Sequence, residues 1–268
     1  MASFSVVNNV AAANAQSNLT ATSIGLQRSI MRLSSGYRIN NAGDDAAGLA
    51  VANGYRSKVA VFNQGIRNAN DGLSTLQIKD GALNNISNLL DRLSTLATQS
   101  ASSSSTVDRT KLNNEFSSVL TEIDRVATVA GLNVATSFSV FVSNDGVNGT
   151  VGGSIARADT GSSGLNISGL KVDSAFNAAA AVATLATAIG TLGTAQANVG
   201  ALENRLQFAI GLAQSQSVNN LAAESRIRDA NIAEESAAMT KYNILTQSGI
   251  AALSQANQSS QSVLTLLR

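Results

Sequence analysis

The 268 residues carry 18 Lys and Arg against 17 Asp and Glu, a net charge of +1, so no global field draws the chain to nucleic acid or an anionic membrane. Proline, cysteine, histidine and tryptophan all number 0, where ordinary usage would give roughly 13 prolines in a chain this long. These absences exclude a disulfide framework, a thiol or imidazole metal centre and a His- or Cys-based nucleophile, and they remove the strongest helix breaker.

Charged residues make up 13% of the chain, about half the usual quarter, and the deficit is concentrated. Met1–Gln27 and Tyr242–Leu267 contain no charged side chain. No Lys or Arg precedes the apolar run Phe4–Ala13, and Asn8-Asn9 interrupts it, so a cleaved signal peptide is not expected. A third uncharged stretch, between Asp173 and Glu203, is too rich in Asn, Thr and Gly to read as a membrane span, and no membrane insertion is expected.

In chain order, Leu19, Ser23, Leu26, Ile30, Leu33 and Tyr37 step by four and three residues, an a/d seam with one polar member. Ile66, Ala69, Leu73 and Leu76 continue this spacing, as do Leu83, Ile86, Leu90, Leu93 and Ala97. Ser102–Ser105 breaks the helix, and Thr106 or Asp108 can cap the next, whose seam is Leu112, Phe116, Val119, Ile123, Val126 and Ala130. Between about Gly131 and Asp173 the period shifts to two. Val134, Thr136, Phe138, Val140 and Val142 alternate, as do Leu165 and Ile167, while Asn144-Asp145-Gly146 and Asn148-Gly149 signal turns. Helical spacing resumes through Val182, Leu185, Ile189, Leu192, Gln196 and Val199, then Leu202, Leu206, Ile210 and Ala213. A last helix with a lighter, Ala-rich stripe is expected from about Arg226 to Leu267.

The expected fold is therefore mainly α: long antiparallel coiled-coil-like helices from both chain ends, with a small β-hairpin region in mid-chain. Folding back at the hairpin brings the two uncharged ends together. Exposed helices without charge need other surfaces around them, yet their Ser, Asn, Gln and Thr argue against lipid, so association with further protein is expected.

Chemical signals are sparse. Asp44-Asp45 and Glu234-Glu235 are adjacent pairs, and neighbours on a helix point in different directions, so neither is read as a catalytic dyad. Gly146–Gly153 has no Gly-Lys-Ser/Thr and reads as turn glycine rather than a phosphate cradle. Five Asn-x-Ser/Thr matches, at Asn18, Asn85, Asn148, Asn166 and Asn257, suit chance in an Asn- and Ser-rich chain. No catalytic residue, metal ligand or cofactor is expected. Arg92, Leu96 and Glu115 could share one exposed strip across two successive helices, although solvated charges and an off-seam leucine explain them as well.

Leu33-Ser34-Ser35-Gly36-Tyr37-Arg38-Ile39-Asn40, followed by Asp44-Asp45-Ala46-Ala47-Gly48-Leu49-Ala50, closely resembles the N-terminal signature of bacterial flagellins. Arg67–Gly72, Glu122–Val126, Gly200–Leu206, Ser225–Ala230 and the closing Val263–Leu267 match in the same order, leaving only residues 131–175 uncovered. The resemblance implies a structural subunit, not an enzyme, that polymerises in many copies into the hollow helical filament of the bacterial flagellum. It implies terminal helices in inner tubes (1–42 and 223–268), surrounding spoke helices (43–130 and 176–222) and a reduced variable part (131–175). Subunit packing is then expected at Leu19, Leu26, Ile30, Leu33, Ile244, Val263, Leu264 and Leu267.

The partners implied are the flagellar export apparatus, a chaperone on the C-terminal helix around Ala251–Leu267, the filament cap and the hook-associated proteins, with an extracellular location reached without signal cleavage. By position, Arg92, Leu96 and Glu115 resemble the strip that Toll-like receptor 5 reads in many flagellins, and Gln99 also matches, whereas Asp91, Thr95 and Val119 depart from the family pattern. Ser259-Ser260 stand where the family often has a proline, so the last helix should run on unbroken. Ala130-Gly131-Leu132-Asn133 replaces the usual Phe-Asn-Gly turn. A hook–filament junction protein shares such terminal motifs and is the alternative; an enzyme carried in a filament would need a His-Glu-x-x-His helix, and there is no histidine.

Overall fold

The computed structural model describes residues 8–103, 108–143 and 149–266, with the backbone alone at 260, 261 and 263–266. The Thr106 cap, the Asn144-Asp145-Gly146 turn and Leu267 lie outside the described residues, as do the side chains of Val263 and Leu264. In chain order the elements are α1 (Val10–Ser35), α2 (Ala46–Ala101), α3 (Arg109–Val129), β1 (Thr136–Phe141), β2 (Thr150–Ile155), α4 (Ala175–Arg228) and α5 (Ile232–Leu266). The fold is mainly α with one antiparallel hairpin, as the periodicities require. It divides into two compact units, one of Lys58–Asn219 and one of Met1–Ser57 with Asn220–Arg268.

Local chemistry sets the helix ends. Asn9 caps α1 by accepting from the Ala12 N–H at 3.0 Å, Asp45 Oδ1 accepts from the Gly48 N–H at 2.8 Å, and Asp108 caps α3. Gly36 closes α1 in the left-handed region at φ 74°, where a side chain would be strained. Tyr37, expected in the α1 seam, consequently lies beyond the helix. The last helix starts later than expected: α4 runs through Arg228, and Asn231 caps α5 by accepting from the Ala233 N–H. With serine at 259 and 260, α5 continues to Leu266.

In the Lys58–Asn219 unit, α2 and α4 run antiparallel: Asn63 meets Ser217 and Asn84 meets Gln196. Leu76, Leu83, Ile86, Leu90 and Leu93 of α2 and Leu185, Leu192, Val199 and Leu206 of α4 are buried in one cluster, and α3 adds Phe116, Ile123 and Ala127. Among the described residues α4 alone is long and apolar enough to cross a membrane; its stripe from Ala178 to Leu206 instead packs into this core.

The hairpin pairs Thr136 with Ile155 through Phe141 with Thr150. Its second strand is one the spacing does not reveal, because Gly152 and Gly153 look like turn residues. Packing explains them: a Cβ on Gly152 would stand 2.9 Å from the Phe138 carbonyl, and one on Gly153 2.9 Å from Leu202 Cδ2. Asn68 Nδ2 donates to the Phe141 carbonyl and Arg205 Nη1 to the Gly152 carbonyl, so helix side chains occupy groups that a two-stranded sheet leaves unpaired. Leu165 and Ile167 form no strand. They belong to a loop with Asn166 at φ 56°, pinned where Asp124 accepts from the Thr160 N–H and hydroxyl, and both side chains are buried.

Gly65 on α2 seats the hairpin, since a Cβ there would lie 1.9 Å from the Val142 carbonyl oxygen. Gly65→Ala is expected to destabilise this unit by about 1–3 kcal/mol through overpacking. Gly81→Ala on the same helix, with nothing within 4 Å, should be neutral or slightly stabilising. Thermal melts of the two variants check the contrast.

Candidate assembly surface

The terminal pair, α1 with α5, carries the features that set the chain ends apart. Its inward stripe on α1 reads Ala12, Ala15, Leu19, Thr22, Leu26, Ser29, Leu33 and Gly36, stepping three and four, and Ser29 is its most enclosed member. Apolar spacing predicts Ile30 where the structure has Ser29. Preferring the larger apolar residue selects the wrong neighbour, whereas small residues let the helices approach closely. A Cβ on Gly25 would stand 2.6 Å from the Tyr242 ring, and one on Gly249 3.2 Å from Leu19 Cδ1. The spaced small residues are the sequence signal for this seam.

What remains outside is apolar. Ile30 is 48% exposed and Ile244 61%, and Val10, Ile24, Leu245 and Ile250 are exposed as well. Leu19, Leu26 and Leu33 are half-buried against α5. A shallow groove along the pair is lined by Ala11, Ala15, Asn18, Leu19, Leu245 and Gly249 among others. Charge enters only toward the Gly36 end, where Arg32 Nη1 contacts Glu235 Oε1 at 3.0 Å. There Asp44 accepts from the backbone N–H groups of Asn41 and Asn40, which hold its carboxyl below the usual aspartate range.

The strip expected on α2 and α3 assembles in part. Arg92 Nε donates to Glu115 Oε1 at 3.0 Å, so these exposed residues form one ion pair across the two helices. Leu96, in contrast, is 1% exposed and belongs to the core. Its expected place on an exposed strip is corrected: it is buried in the same cluster as Leu93, Ala97 and Phe116. Gln99 and Thr95 are exposed and Val119 is half-buried.

Two charged groups lack the comfort of solvent. Lys79 Nζ donates to the carbonyls of Ala130 and Gly131, closing the C-terminal end of α3, and burial lowers its pKa. Glu203 on α4 has its Oε1 buried without a hydrogen-bond partner. Burial first, and the Asp80 charge second, raise its pKa above the usual glutamate range. A raised folded-state value makes Glu203's contribution favourable at acid pH and unfavourable as pH climbs through that value. Glu203→Gln should therefore raise the melting temperature at about pH 7, with the gain vanishing by about pH 3, where the carboxyl is protonated in both states. Melts at the two pH values check the sign.

No group of three or more His, Cys, Asp or Glu side chains that could hold a metal occurs among the described residues. The class these features define is a helical packing protein whose terminal pair presents apolar, uncharged faces. Residues 6–139 match the model of the bacterial flagellin N-terminal helical region, and residues 182–267 that of the C-terminal helical region. Flagellin FlaB1 of Treponema pallidum is 35% identical, the match covering 97% of this chain and 99% of that protein. The flagellar filament 33 kDa core protein of Treponema phagedenis is 36% identical, with 97% and 99% covered. A flagellin of Halalkalibacterium halodurans is 34% identical, with 97% and 98% covered. The chain belongs to the bacterial flagellin family.

Proposed function

We propose that the chain is a structural subunit that polymerises in many copies into a bacterial flagellar filament, working by packing and not by catalysis. The observation that carries this is the terminal pair: two long helices joined along a small-residue seam, uncharged over most of their length, with isoleucines and leucines on their outer faces. Apolar surface of this kind is favourable only when other protein covers it, at roughly 25 cal/mol per Å² removed from water. In a helical polymer each copy meets its neighbours through different patches, so every outer face of the pair can be covered. Ile30 and Ile244 then pack between subunits, Leu19, Leu26 and Leu33 hold α1 to α5 at the edge of that contact, and Val263, Leu264 and Leu267 extend it.

In this reading the protein is exported unfolded through the flagellar apparatus, without signal cleavage, and functions outside the cell. The last helix, around Ala251–Leu267, is held by a chaperone before export and packs among subunits afterwards, while cap and hook-associated proteins bound the polymer. A cysteine- and proline-free chain suits passage through such a route, since no disulfide and no slow prolyl isomerisation delays folding on arrival. Recognition by Toll-like receptor 5, if it occurs on α2 and α3, would rest on the Arg92–Glu115 pair, with Leu96 acting from beneath as packing. Electron microscopy of the purified protein under polymerising conditions tests the assignment: long filaments support it, and none would favour the hook–filament junction role.

A further inference from the structure

Where α1 stops and α5 starts, the two connecting turns pair with each other. The Ala230 N–H donates to the Gly36 carbonyl at 2.8 Å, the Arg38 N–H donates to the Arg228 carbonyl at 2.7 Å, and Tyr37 bridges Asp229 in antiparallel sense. Arg38 Nη2 donates to the Ile227 carbonyl at 2.9 Å, and the Arg228 guanidinium lies 4.1 Å above the Tyr37 ring. The left-handed Gly36 turns its carbonyl and the following residues into this pairing. Arg38 and Ile227 are 189 residues apart in sequence, and they meet at the one place where, among the described residues, the terminal pair is stitched by backbone bonds.

Away from this point the pair is poorly specified. Its contacts run in step, Gly36 with Ala230, Arg32 with Glu235, Gly25 with Tyr242, Leu19 with Gly249 and Asn9 with Ala256, so a single antiparallel register holds throughout. Yet the seam repeats small and apolar residues at heptad spacing. A slip of α5 by one heptad would set Gly25 opposite Gly249, and along the described helices the contacts that resist it are the Tyr242 ring against Gly25, the Arg32–Glu235 pair and the Asn9 bond to Ala256. In coiled coils an apolar seam fixes association, while a few polar contacts fix register.

We propose that Gly36-Tyr37-Arg38 and Arg228-Asp229-Ala230 form a register clasp, which sets α1 against α5 so that the pair zips away from it in one alignment. The clasp acts within a single chain and holds whether or not the protein builds filaments, so its test and the filament test fail independently.

The absence of cysteine makes the test clean. A Cβ on Gly249 would stand 3.9 Å from Leu19 Cβ, within disulfide range, so Leu19→Cys with Gly249→Cys reports the native register. Leu19→Cys with Ala256→Cys reports a slip of one heptad. Each pair is placed in full-length protein, with and without Ala230→Pro plus Arg228→Ala, which remove the N–H that donates to the Gly36 carbonyl and the guanidinium above the Tyr37 ring. Intrachain disulfide formation is read on non-reducing gels, under conditions where the unaltered background forms the native bond. With the clasp intact, only the native pair should oxidise. With it removed, native oxidation should fall at least about tenfold, whether the slipped pair gains or the helices separate, and Ala230→Gly plus Arg228→Lys, which keep the N–H donor and the cation, should leave it near the unaltered level. Unchanged oxidation of the native pair in the double variant, with the slipped pair silent, would overturn the clasp. Melting that shows the double variant unfolding the Lys58–Asn219 unit as well would overturn it too, because the effect would then be general.

Discussion

Replacing Leu26 with Asp is expected to abolish filament growth while leaving the Lys58–Asn219 unit folded. Leu26 sits half-buried in the α1 stripe beside Gly25, which is closed against the Tyr242 ring. Nothing from residue 1 to 27 carries a charge, and Arg32, one of two cations on α1, is already joined to Glu235. A carboxylate at 26 would sit in the seam beside the Tyr242 ring, and covering it with neighbouring copies would add a desolvation cost of several kcal/mol per subunit. Because every copy bears the change, the cost recurs at each addition to the filament end. Electron microscopy should show no filaments, with an unchanged melting transition for the Lys58–Asn219 unit; filaments of ordinary length would refute the burial assigned to the pair. Ile30→Asp provides the complementary case. Ile30 points away from α5, so the change should spare the α1–α5 contact and still block assembly if copies pack on that face.

The largest effect on folding is expected at Phe116. Its ring is fully enclosed in the core that α2, α3 and α4 share, and truncation to alanine removes the bulkiest fully buried side chain there. Phe116→Ala should lower the stability of the Lys58–Asn219 unit by about 3–5 kcal/mol, the lost transfer energy plus the cavity left by partial collapse. Denaturant unfolding followed by circular dichroism measures it. An effect below about 1 kcal/mol would mean that the helices close over the gap, and that this core is more deformable than its burial implies. Removing the exposed Arg92 side chain should by comparison change stability by less than about 1 kcal/mol, because solvent screens its pair with Glu115.

The long helices are readable because apolar spacing and an absence of proline act locally and continuously. Leu83, Ile86, Leu90 and Leu93 appear in the core as their steps foretell, and Asp108 caps α3. The departures are equally specific. Ile30 displaces Ser29 in the expected seam, because periodicity ranks residues by hydrophobicity while helix pairs in close contact select small ones. Gly152 and Gly153 conceal a strand, because their reason is a neighbour from α4 or β1 and not a turn. Leu96 reads as a surface residue because it falls off the expected seam, yet it is enclosed in the core cluster.

The uncharged ends and the helical class follow from the sequence by itself, since composition and period are properties of the chain. The alignment of α1 with α5, the seating of the hairpin on Gly65, the burial of Leu96 and the stranded oxygen of Glu203 are decided by tertiary structure alone. Each depends on which distant residue arrives opposite, and the small, repetitive side chains of this sequence admit several such partners until packing and the turns at Gly36 and Asp229 choose one.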